Sequence, residues 1–106
     1  MANTVPVCVT IDRDVIIAWA HRRNGRPATM MGDERPWPLL FEFGPPEIGV
    51  KEVGWDLFFA EFERANLAFV FRVGAENGAA DDFHEFINRA TVPELAISAT
   101  VTMNVI

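Results

Sequence analysis

The residues able to do chemistry are few. There is one cysteine, Cys8, two histidines, His21 and His84, and a basic run of His21, Arg22, Arg23 and Arg26. A thiol beside an imidazole is the start of a nucleophilic site, which also needs a group to orient the base. Cys8, however, lies in the apolar run Val5-Pro6-Val7-Cys8-Val9. No cation adjacent in sequence would lower its pKa, and no nucleophile-elbow sequence surrounds it, so it reads as a small buried hydrophobe. A zinc site needs three or four clustered ligands. Asp81-Asp82 and His84-Glu85 are close in sequence but match no ligand spacing. The glycine-rich phosphate loops are absent. The sequence therefore assigns no catalytic residue, no metal ligand and no cofactor.

Recognition is the better-supported chemistry. Arg22, Arg23 and Arg26 are the one dense positive cluster on a chain of net charge −6. They read either as solvated charge complementing a helix C-terminus or as a contact for an anion or an acidic partner. Trp37, between Pro36 and Pro38 in a polar stretch, reads either as a loop anchor or, if exposed, as a recognition hot spot. These four are the candidate partner- or anion-binding residues. The acidic surface repels phosphate backbones, so nucleic-acid binding is not expected. An acidic mimic of nucleic acid would need its carboxylates in a double row.

The elements that must position these residues follow from periodicity. Val5, Val7 and Val9 alternate with Thr4, Pro6 and Cys8 as a short edge or end strand, because Pro6 cannot donate to a ladder. Thr10 can begin a helix over about 12–23, with Val15, Ile16, Trp19 and Ala20 on one face, and Asn24-Gly25 ends it. Ala28 to Met31 forms a short strand, Gly32 to Pro38 a loop, Leu39 to Phe43 a strand, and Ile48 to Val53 a connection that could hold another. A second helix over about 55–65 carries Trp55, Phe58, Phe59 and Phe62 on one face, and Leu67 to Val73 is an internal strand. Asp81 or Asp82 caps a third helix to about Arg89, burying Phe83, Phe86 and Ile87. From Leu95 to Val105 a clean period of two predicts a long strand. The fold class is α+β: a small, mostly antiparallel sheet against two or three helices, in a single domain of 106 residues.

One stretch carries a resemblance. Ile11-Asp12-x-Asp14-x-Ile16-x-x-Trp19-Ala20-x-Arg22-x-x-Gly25-Arg26-Pro27-Ala28 is followed by Val53-Gly54-Trp55-Asp56-x-Phe58-Phe59-x-x-Phe62 and Leu67-Ala68-Phe69-x-Phe71. This resembles a family of short, uncharacterised bacterial proteins built around W-x-x-R-G-G-x-P-A and I-S-W-D-E-F-F. The match covers about residues 10–73, with 74–106 as a helix-strand extension. Asn24 stands at the first of the usual two glycines, Gly54 at the usual serine, and Phe71 where tyrosine is common. The resemblance implies a common fold and a bacterial origin, and no activity.

A lone cysteine suits a reducing compartment, and the N-terminus lacks the basic and apolar regions of a signal peptide. The longest apolar run, Leu67 to Phe71, is too short for a membrane helix. The expectation is a cytoplasmic, non-enzymatic interaction or regulatory domain with a protein partner, away from membranes. Two alternatives stay open: a small enzyme using Cys8 and a histidine, and an acidic nucleic-acid-mimicking inhibitor. The long C-terminal strand, which lacks edge protection, is expected to pair with a second copy in a homodimer, with pairing within the chain as the competing view.

Overall fold

A computed structural model describes residues 4–30, 38–72, 83–92 and 99–104. The elements run β1 (Thr4–Thr10), α1 (Arg13–Arg22), β2 (Arg26–Met30), β3 (Leu39–Glu42), β4 (Val50–Glu52), α2 (Trp55–Arg64), β5 (Leu67–Arg72), β6 (His84–Asn88), a 3-10 turn (Arg89–Thr91) and β7 (Ala99–Asn104). The class is α+β and every described strand pairing is antiparallel. The strands form two sheets rather than one, ordered β6-β5-β1-β7 and β3-β2-β4. No helix among the described residues is long and apolar enough to cross a membrane.

The chain gathers into two compact units, Met1–Asp12 with Asn66–Ile106, and Arg13–Ala65. These units do not follow the sequence division at residue 73. The segment read as an extension supplies β6 and β7 to the same sheet as β1 and β5.

In the first unit, Val7, Val9, Ala68 and Val70 are buried together, with Ile11, Phe83, Ile87 and Val92 packed against them. The third helix expected before Arg89 is instead β6. Phe86 lies opposite Phe69 and Ile87 opposite Ala68, so the two residues point to opposite faces of a strand. Their spacing suits a helix equally well, but the strand pairs the backbone of β5 along Leu67–Phe71. Asn88 then accepts a bond from the Ala90 amide at 2.9 Å and starts the 3-10 turn. The Arg89 amide donates to the Asn66 carbonyl at 2.7 Å and its Nε to the Leu67 carbonyl at 2.9 Å, closing this end of the hairpin.

Strand β1 is not at an edge. It lies between β5 and β7, yet its described pairing with β5 covers only Val7 to Thr10. Pro6 registers with Thr102 of β7; residue 73, which the register sets opposite it on the side of β5, lies outside the described residues. The C-terminal strand pairs within the chain, from Thr4↔Asn104 to Val9↔Ala99. This pairing satisfies one edge of β7, which is the terminal strand of its sheet among the described residues. The expected residues 95–98 and Val105 lie outside the described ones.

The second unit is built on aromatic rings. Helix α1 buries Ile16, Trp19 and Ala20, while Val15 is 38 % exposed, so the apolar stripe is narrower than its sequence spacing suggests. Helix α2 packs on β2 and β3 and buries Phe58, Phe59 and Phe62. Phe41 of β3 joins the two helices, with its ring 5.7 Å from Trp19 and 5.3 Å from Phe58, centroid to centroid. Trp55, at the start of the α2 stripe, is only partly buried.

The end of α1 shows how the sequence sets the turn into β2. Asn24 adopts φ 57°. Its amide donates to the His21 carbonyl at 3.1 Å and the Gly25 amide to the Ala20 carbonyl at 2.8 Å, the paired bonds of a Schellman cap. Asparagine is the residue after glycine that tolerates this left-handed conformation best. Gly25 answers a different demand, close approach by Phe43.

Candidate functional site

An open pocket of about 440 Å³ lies in the second unit where α1 ends and β2 begins. His21, Asn24, Gly25, Arg26, Pro27, Glu52 and Trp55 line it. The Schellman turn brings Asn24 and Gly25 to its edge, β2 carries Arg26 and Pro27, β4 ends at Glu52, and α2 begins at Trp55. The Val53 amide donates to the Pro27 carbonyl at 2.9 Å, which holds the β4–α2 connection against β2.

Trp55 forms an aromatic wall. Its ring stacks on Phe59 at 5.6 Å and 22°, meets Phe58 edge-on at 5.3 Å and lies 6.0 Å from Phe41. His21 is exposed and its ring lies 6.4 Å from Trp55 at 65°. The indole is thus braced by buried neighbours while part of it remains accessible.

Arg26 is the cation of the pocket, and carboxylates flank it on both sides. It registers directly opposite Glu42 of β3, and its Nη2 donates to Glu42 Oε1 at 3.1 Å and to the Gly44 carbonyl. Its Nε lies 3.5 Å from Glu52 Oε1. Glu42 is 5 % exposed and also accepts the Glu47 amide at 2.7 Å. That amide, opposed by burial and aided by Arg26, holds the Glu42 carboxyl below the usual carboxylate range. Glu52 is different: its side chain is 59 % exposed and its contact with Arg26 is long.

The arginines singled out from the sequence are thus held in three different ways. Arg22, in the last turn of α1, is exposed. Arg23 folds back on its own helix, with its guanidinium 4.4 Å from the Trp19 ring centroid and its Nη1 donating to the Trp19 carbonyl at 3.0 Å. Arg26 is enclosed by Glu42 and Glu52. Trp37 lies outside the described residues. Sequence reasoning did not single out Glu52, read Asn24 only as the stop of the first helix, and read Trp55 as core. Trp55 opens the α2 stripe directly after Gly54, and an aromatic at a helix start has one end of its ring beyond the packed face. That is the signal available for it.

The thiol–imidazole alternative can be followed in the first unit. Cys8 registers with Phe71, and Phe71 with His84. Cys8 and His84 therefore share a row but stand two strand spacings apart, about 10 Å, with Phe71 between them. Burial raises the Cys8 thiol pKa. Among the described residues, no three His, Cys, Asp or Glu side chains gather as a metal would require.

Comparison with protein-family models, with curated proteins and with solved structures finds no match for the chain.

Proposed function

We propose that the chain is a non-enzymatic protein-interaction domain, of the bacterial cytoplasm, and that the pocket beside Trp55 is part of its contact surface. The observation that carries this reading is the partly exposed, internally braced Trp55 ring set among exposed polar groups, His21 and Glu52, in an open pocket. Tryptophan in a rigid setting is the side chain most enriched at interaction hot spots. It gains contact area while losing little conformational freedom, because its neighbours have already fixed it.

The test is a selection from a displayed random-peptide library against the folded domain. Peptides enriched on the wild-type protein, and perturbing the Trp55 indole resonance when added in solution, are the expected result. A folded domain that enriches no peptide overturns the reading.

A further inference from the structure

We infer that the pocket receives a basic side chain, an arginine or lysine of the partner polypeptide, held between the Trp55 indole and the Glu52 carboxylate. The inference rests on the interaction-domain reading above and reverses the charge of the ligand expected from the arginine cluster.

The reversal follows from how Arg26 is used. Its Nη2 is engaged by Glu42 and the Gly44 carbonyl, and its Nε faces Glu52. An incoming anion would meet a guanidinium that already faces two carboxylates, and would be repelled by them. Two carboxylates meet one guanidinium, so the trio is negative by one charge. Within it, Glu42 is buried and committed, through Oε1 to Arg26 and through Oε2 to the Glu47 amide. Glu52 contributes one oxygen to a 3.5 Å contact and is 59 % exposed, so a second cation can approach it from solvent.

Trp55 supplies the other half of the receptor. The face of an indole is the best aromatic partner for a cation, and a guanidinium can lie flat on it while its N–H groups reach a carboxylate. The volume, about 440 Å³, lies in the range of small-ligand sites and accommodates one long side chain. The net charge of −6 steers a basic partner toward the surface. The chain already makes this contact elsewhere: the guanidiniums of Arg23 and Arg13 lie 4.4 Å and 5.2 Å from the Trp19 and Phe59 centroids.

The experiment titrates the ¹⁵N-labelled full chain with N-acetyl-argininamide at fixed ionic strength, reading the Trp55 indole resonance, assigned through Trp55→Phe. Parallel titrations use N-acetyl-lysinamide, sodium acetate and inorganic phosphate. A saturable shift of Trp55 with the basic amides, absent with acetate and phosphate, is expected. Glu52→Gln should weaken it up to about fivefold, the scale of a rim ion pair. Glu85→Gln removes the same formal charge from an exposed position in the other unit and should leave the affinity unchanged. A Trp55 resonance unmoved by the basic amides overturns the inference, as does a response to phosphate or acetate instead, or equal weakening by Glu52→Gln and Glu85→Gln. Selected peptides that shift Trp55 but contain no basic residue also overturn it, while leaving the interaction-domain reading intact.

Discussion

Gly25 and Phe43 share space that no side chain at position 25 could enter unopposed: a Cβ there would lie 2.9 Å from Phe43 Cε1 and 3.2 Å from Cδ1. Phe43 is itself held edge-on to Trp19 at 6.0 Å and to Phe41 at 6.3 Å. Gly25→Ala should therefore cost about 1–3 kcal/mol, the range for an overpacked contact. Its neighbour behaves differently, because Asn24 is constrained by φ 57° and not by space. Asn24→Gly should be near neutral, and Asn24→Ala should cost about 1 kcal/mol. Urea denaturation of the three variants checks the order.

Phe58 sits at the centre of the aromatic core, fully buried, with Phe59, Trp55 and Phe41 rings at 5.1, 5.3 and 5.3 Å. Phe58→Ala should lower stability by about 3–5 kcal/mol through lost burial and the cavity left behind. An unchanged denaturation midpoint would show that α2 does not present this face to β3.

Glu42 makes stability depend on acid. Its folded-state pKa lies below the ordinary value of 4.5, so its contribution is fully present above that pH. It is lost as pH falls through the depressed folded value. Glu42→Gln should flatten the acid limb of a stability–pH profile below about pH 4.5 and leave its shape near neutrality unchanged. Urea midpoints measured from pH 7 to pH 3 report this.

Burial raises the Cys8 thiol, which keeps it in the unreactive protonated form. Iodoacetamide at pH 8 should modify folded protein more slowly than an unstructured cysteine peptide, and urea should abolish the difference. Faster modification of the folded form would revive the thiol as a nucleophile.

Helix positions were legible because Ile16, Trp19 and Ala20, and Phe58, Phe59 and Phe62, combine odd and even separations on one buried face, which a period of two does not allow. The stretch from Phe83 to Asn88 was not, because Phe83, Phe86 and Ile87 carry the i, i+3, i+4 spacing of a helix face, whereas the strand sets Phe86 and Ile87 on opposite faces, both partly buried. The edge of β5, distant in sequence, decides between them. The site was less legible than the fold. A run of arginines reads as positive charge, but the charge of Arg26 is met by Glu42 behind the pocket and Glu52 in its lining, which lie 16 and 26 positions beyond it. Only cross-strand pairing brings them there.

The two compact units also differ in how the chain visits them. Arg13–Ala65 is one uninterrupted stretch, whereas the other unit is assembled from both flanks of it. During synthesis every residue of the aromatic unit is available once Ala65 has left the ribosome, while β1, made first, waits for β5 and then β7. A nascent chain halted once Ala65 has emerged from the ribosome should protect Phe58 and Trp19 while β1 still lacks both its neighbours. The order of translation thus exposes β1 for longer than any other strand.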